Sequence, residues 1–209
     1  MKSATPSSPG TNLEVIWPNN DQRLGYAMHN GAKGGAQNNY LLIPTVRIAG
    51  IECPNLLNSS TPEYFNLAYK NIHYLPPGTD WALSIESANN RNYAQLHIHV
   101  SRLSTGARRD IDKAVKANQV APNQGQWLNS VIAVQNRGFR AWNADAMTHS
   151  FFGNLNEHIV EKVKGLAMGD QTMLITANKL GSGFIVLSSD KKSNLNPFGV
   201  DNTEFLLNK

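Results

Sequence analysis

The stretch Ala94-Gln-Leu-His-Ile-His-Val-Ser101, AQLHIHVS, decides how the chain is read. An extended backbone sends successive side chains to opposite faces, so Gln95, His97, His99 and Ser101 share one side while Leu96, Ile98 and Val100 share the other. The second set belongs against a core. The first concentrates two imidazoles, an amide and a hydroxyl on one strand face, and it is expected to be the face that does chemistry.

Working outward, WALSIES (residues 81–87) alternates as a strand, ANNRN (88–92) reads as a turn and YAQLHIHVS (93–101) as the returning strand, together a hairpin. Upstream, a Gly- and Asn-rich turn over residues 30–39 leads into YLLIP (40–44) and VRIAGI (46–51), read as two strands with Pro44 marking a bend or an edge. Ser60-Thr-Pro-Glu63 has the spacing of a capping box, and Phe65, Ala68, Tyr69 and Ile72 form one helical stripe behind it. Downstream, residues 108–118 carry Ile111, Ala114 and Val115 at helical spacing, and WLNSVIAVQ (127–135) returns to strand character. NEHIVEKVKGLA (156–167) reads as an amphipathic helix through Ile159, Val160, Val163 and Leu166. TMLITAN and GFIVLSS make a closing hairpin across residues 179–182. Hairpins interrupted by separate helices predict an α+β fold with a mostly antiparallel sheet and helices packed on it.

The 209 residues, 41% hydrophobic and 16% charged, suffice for one good-sized core, so one domain is expected over residues 13–209. Residues 1–12, rich in Ser, Pro, Thr and Gly, are expected to be disordered. No run approaches the roughly 20 apolar residues that cross a bilayer, and no apolar stretch follows Lys2 as in a signal peptide, so a soluble, cytoplasmic protein without a transmembrane segment is expected. The net charge of +4, from 19 basic and 15 acidic residues, is dispersed and favours anions only weakly. Basic residues do not alternate with aromatics, which argues against a nucleic-acid partner. The one cysteine, Cys53, rules out an intrachain disulfide and is read as structural. The oligomeric state stays open, a homodimer included.

Three readings of the two histidines remain. As a metal chelate, H-x-H lacks a nearby third ligand beyond Asp110, so no metal and no cofactor is expected. As bland polar residues they would sit on a half-exposed sheet. As a phosphorus nucleophile, a neutral imidazole (free pKa about 6.5) attacks through one ring nitrogen while the other keeps its proton on a fixed acceptor. His97 in the middle can then attack, with Gln95 and His99 on either side to bind phosphate oxygens or orient the ring.

QLHIHVS resembles the histidine-triad motif, three histidines alternating with apolar residues, whose middle histidine forms a nucleotidyl intermediate. Over most of residues 25–190 the chain is similar to the CDP-diacylglycerol pyrophosphatase (CDP-diacylglycerol hydrolase) family of that superfamily. The likeness is carried by YLLIPTVRIAGIECPNLL (40–57), STPEYFNLAY (60–69) and the hairpin into HIHVS, and more loosely by GLAM (165–168) and GFIVL (183–187). It implies a HIT-like fold, a lipid nucleotide or small-molecule nucleotide diphosphate as substrate, and hydrolysis to CMP and phosphatidic acid. It also implies His97 as nucleophile and His99 as donor to phosphate oxygens. Thr45 and Arg47 then become candidates for anion recognition, although Arg47 could equally pair with Glu52. Ser101, Arg102 and Arg108, with Arg109, are further candidates for contacting the diphosphate, whereas His73, His149 and His158 are read as structural.

Two positions depart from the pattern. Gln95 replaces the first histidine of the triad, and Glu86 stands where the superfamily usually presents an Asn. An ionised Glu86 would repel a diphosphate unless it paired with His97 or His99, or itself served as general base. That leaves two alternatives: a repurposed enzyme using Glu86, His97 and His99 as acid-base groups on a small organic substrate, or a non-catalytic nucleotide-binding module.

Overall fold

A strand with apolar residues on both faces must be covered on both sides. The central strands here are of that kind: Leu83 and Ile85 face one way and Ala82 the other, Ile98 and Val100 oppose Leu103, and Met173 and Ile175 oppose Leu174. The computed structural model describes residues 13–31 and 39–208. The segment expected to be disordered and most of the Gly/Asn-rich turn therefore lie outside the described residues.

The architecture is α+β, with ten strands among the described residues joined in one sheet whose ladders are all antiparallel. In chain order these are β1 (Leu13–Ile16), β2 (Tyr26–Asn30), β3 (Asn39–Pro44), β4 (Trp81–Ile85), β5 (Ile98–Leu103), β6 (Val131–Val134), β7 (Arg137–Ala144), β8 (Thr172–Ala177), β9 (Phe184–Ser189) and β10 (Leu207–Asn208). The order across the sheet is β1-β2-β3-β5-β4-β8-β9-β7-β6, with β10 paired to β5. Helices α1 (Tyr64–Lys70) and α3 (Phe151–His158) bring Phe65, Ala68, Phe151, Phe152 and Leu155 to one face. On the other face α2 (Thr105–Lys116) packs Ala107, Ile111 and Ala114, and the chain's end adds Leu206 and Leu207.

Several elements differ from expectation. VRIAGI is not a strand: after Pro44 the chain bends at Thr45 and Val46 and runs irregularly, holding one ladder-like bond from Leu96 N–H to Ile48 O. The reason lies in the β3–β5 register, which pairs Leu42 with Ile98 and, extended by two residues, sets Pro44 opposite Leu96. Proline has no N–H, so the ladder stops there. For the same reason β5 begins at Ile98 rather than at residue 93. The helix expected over residues 156–167 is instead α3, five residues earlier, followed by a 3-10 turn at Val160–Lys162. The β-branched Ile159, Val160 and Val163 are poor helix formers, and Gly165 turns the chain at φ +82°. Of WLNSVIAVQ, only Val131–Val134 is strand, preceded by a 3-10 segment over Gln124–Asn129.

The helix after Ser60 starts later than the capping-box spacing implies. Ser60 spends its N–H and hydroxyl on Asn58 Oδ1, and Glu63 caps α1 instead, accepting from Phe65 N–H at 3.3 Å. The other oxygen of Glu63 accepts from Phe151 N–H at 3.1 Å, so one carboxyl ties together the N-termini of α1 and α3. Enclosure between these helices pushes Glu63 up to about 8, against the pull of the two N–H donors. A carboxyl with a raised folded-state pKa gives its full stability below its unfolded pKa and loses it as pH rises through the folded value. Stability of the wild type should therefore fall relative to Glu63→Gln, which keeps an acceptor oxygen but cannot ionise, between pH 4.5 and about 8. Urea denaturation of both proteins across that window checks this; parallel pH profiles would show that Glu63 does not titrate there.

Candidate active site

Across β4 and β5, Ser84 pairs with His99, and the same register extended by two residues sets Glu86 opposite His97 on the same face. Both line a narrow cavity with Gly50, Arg91 and Gln95, one with no room for a water molecule. This face is buried, with His97 9% exposed and His99 5%, and Thr203 and Glu204 reach it from the C-terminal segment, to Glu86 and His99 respectively.

Each ring is held. His97 Nδ1 lies 2.9 Å from the Gln95 backbone oxygen. A carbonyl only accepts, so Nδ1 carries the proton and Nε2 keeps its lone pair. His99 packs edge-on against His97 with ring centroids 5.4 Å apart. Its Nδ1 is 3.3 Å from Asn39 Oδ1 and its Nε2 3.5 Å from Glu204 Oε1. Gln95 Nε2 donates to the carbonyls of Pro44 and Val46, each at 3.0 Å. These bonds stand in for the ladder that Pro44 breaks, and they use both hydrogens of the amide. Glu86 accepts from Thr203 N–H at 3.2 Å and from Thr203 Oγ1 at 3.0 Å. Its carboxyl therefore anchors the C-terminal segment.

Sequence reasoning took residues 88–92 for a simple turn and so missed Arg91, the cation that lines the same cavity as His97. Arg91 is paired with Glu52. Burial works against ionisation of Glu52, but the Arg91 hydrogen bond and charge, together with a backbone N–H, hold the carboxyl below its ordinary value. Gly50 makes this pair fit: a Cβ there would stand 1.9 Å from Arg91 Nη1 and 2.7 Å from Glu52 Oε2. Tyr93, 68% exposed, approaches His97 edge-on at 6.1 Å. Asn39, Thr203 and Glu204 were missed as well; they are brought in by tertiary structure, and no local pattern marks them.

These histidines on a strand face, and the RIAGIE segment that wraps them, lie within residues 17–207, the span matched by the sequence profile described as CDP-diacylglycerol pyrophosphatase. The chain belongs to the CDP-diacylglycerol pyrophosphatase family. It is also 37% identical over 110 residues to a CDP-diacylglycerol pyrophosphatase of Yersinia pestis, a stretch covering 49% of this chain and 40% of that relative.

The remaining residues singled out in this family member fall in different places. Thr45 is exposed and donates to Gln22 O at 3.2 Å. Arg47 is not paired with Glu52; it is exposed and lines a separate cavity of about 450 Å³ with Asp21, Arg23 and Tyr64. Ser101 is fully buried in β5 and Arg102 points to solvent. Arg108 is buried and committed to Asp80, with further bonds to Asp112, Thr176 and the Ala177 carbonyl, so it braces α2 against the sheet instead of facing His97. Arg109 is exposed beside Asp110, and His149 is paired with Asp145. No group of three or more His, Cys, Asp or Glu side chains is placed to hold a metal among the described residues. No helix among them is long and apolar enough to cross a membrane.

Gly50→Ala tests the cradle directly. The added methyl should displace the Arg91 guanidinium, and Glu52, stripped of its partner, should titrate at a higher pH than in the wild type. Side-chain carboxyl NMR reads this out, and an unchanged Glu52 titration would mean that Arg91 does not depend on Gly50.

Proposed function

We propose that the chain hydrolyses the diphosphate of CDP-diacylglycerol or a closely similar nucleotide diphosphate, with His97 as nucleophile in the manner of histidine-triad enzymes. The observation that carries this reading is the hydrogen bond from His97 Nδ1 to the Gln95 carbonyl, which leaves the Nε2 lone pair to attack and pre-sets the tautomer. Family membership supplies the substrate class.

In the first step Nε2 attacks the phosphorus of the cytidylyl group, and the bond to the bridging oxygen breaks. Phosphatidate leaves as a phosphate monoester, which is stable as an anion and needs no protonation. The Gln95 carbonyl oxygen, accepting the Nδ1 proton, stabilises the positive charge that develops on the ring. Water then attacks the phosphorus of the nucleotidyl-histidine and loses its proton to solvent, the P–N bond breaks, and CMP is released with the imidazole regenerated, its Nδ1 proton retained. Arg91 is the cation available to neutralise phosphate oxygens beside His97. Gln95 and His99 act as positioning residues, the first through its carbonyl on Nδ1 and the second through ring contact. Glu86 anchors Thr203 through its N–H and hydroxyl. Entry of the diphosphate requires the narrow cavity to open.

Wild-type protein should release CMP from CDP-diacylglycerol, and a rapidly quenched reaction should carry a cytidylyl group on His97 by mass spectrometry. His97→Ala should lower kcat at least ~10³-fold, and Arg91→Ala should lower kcat/KM about 10²-fold. Equal turnover by wild type and His97→Ala would overturn the proposal.

A further inference from the structure

An exposed aromatic ring standing alone on a surface needs no explanation, but one held against a reactive side chain does. Tyr93 is the most exposed of the large apolar side chains described, and the ring it touches is that of His97. The two planes cross at 78° with centroids 6.1 Å apart. Whichever ring presents its edge in such a contact, at least one face of the tyrosine is left unused. With 68% of Tyr93 exposed, that face lies in solvent. The narrow cavity takes Arg91 and Gln95 into its walls from either side of Tyr93 in the chain, but not Tyr93 itself, which marks the solvent side of the His97 ring. The largest cavity described, about 910 Å³, lies elsewhere, beyond residues 202–205, whose Thr203 and Glu204 turn back to Glu86 and His99.

The backbone leaves this ring free to adjust. Residues 92–94 are exposed, and none of their N–H or C=O groups enters a backbone hydrogen bond among the described residues. The nearest such bonds run from Arg91 N–H to Ser87 O at 3.2 Å and from Leu96 N–H to Ile48 O at 2.7 Å. Shifting the intervening residues therefore breaks no internal backbone bond.

The chemistry at phosphorus decides which half of the substrate meets Tyr93. The attacking Nε2 and the departing oxygen lie roughly in line, so phosphatidate leaves on the side turned away from the imidazole. The nucleotide stays bonded to Nε2, and its ribose and base come to lie alongside the ring. Every base has a π-face, and a free aromatic face next to a nucleotide is a platform on which one stacks. We propose that Tyr93 is a substrate-binding residue that stacks on the nucleobase of the nucleotide held at His97. This rests on the hydrolase reading for the bond at His97. An acyl chain is the rival neighbour for the ring, and in-line departure points the lipid away from it.

The test uses the full wild-type chain with CMP, the product, so that binding is read without turnover. In an NMR titration CMP should bind with its cytosine ring protons moved upfield by the tyrosine ring current, and ribose 5-phosphate should bind more weakly. Tyr93→Ala and Tyr93→Leu should each weaken CMP about tenfold or more and leave ribose 5-phosphate unchanged, whereas Tyr93→Phe should keep both the affinity and the upfield shift. Because the position is exposed, all three variants should melt near the wild-type temperature. The proposal is overturned if CMP does not bind, if Tyr93→Ala weakens CMP and ribose 5-phosphate equally, or if it weakens a short-chain phosphatidate and not CMP. The hydrolase reading is judged separately, by CMP release from CDP-diacylglycerol: release by the wild type together with a CMP affinity indifferent to Tyr93→Ala would refute the stacking role alone.

Discussion

Glu86 stands just past the end of β4, a strand covered on both faces, and its buried carboxyl accepts from the N–H and hydroxyl of Thr203. A buried carboxyl without such partners is costly. The same constraint governs the charged and ring groups on and beside the central strands: once α1 and α3 close one face of the sheet and α2 with the chain's end packs on the other, they find internal partners. His99 finds Asn39 and Glu204, Arg108 finds Asp80, and Arg140 finds Asp190. The polar row on β4 and β5 is thus the means by which the last residues of the chain are bound to the sheet.

That arrangement ties the site to the fold. The C-terminal segment is held by the very face that carries His97, and it forms the partition between the histidines and the large cavity beyond. Loosening Thr203 from Glu86 would disturb both compartments together.

The hairpin of β4 and β5, the closing hairpin of β8 and β9, and helix α2 were legible because their apolar spacing is local and their partners adjoin them in sequence. His97 and His99 adjoin on one face as the alternation implied, and Glu86 lies opposite His97 as the family resemblance implied. What escaped notice depends on distance along the chain. Strands β2 and β7 went unread, the first because Tyr26–Asn30 mixes His and Asn into its alternation, the second because Arg137, Gly138 and Arg140 hide the apolar set. Arg140 reads as a surface residue until Asp190, fifty positions away, is seen against it. Arg91 was hidden in the same way by a run of asparagines, and Arg108 was overvalued because nothing local shows that Asp80 claims it. The burial of the AQLHIHVS polar face was not legible, because periodicity shows which residues share a side, and what covers that side comes from elsewhere in the chain.

The departure at position 95 has a physical sense in this geometry. The tautomer of His97 is set by the backbone oxygen of residue 95, which any side chain there would present. The side chain has another task. Because Pro44 cannot continue the ladder, something must hold residues 44–46 against the approach to β5, and an amide with two hydrogens can serve two carbonyls at once. A histidine has at most one donor on each ring nitrogen, in divergent directions, and could not span both. On the proposed reading, glutamine gives up a histidine's charge for a firmer seat beneath His97, and Arg91, cradled by Gly50, is the cation beside it.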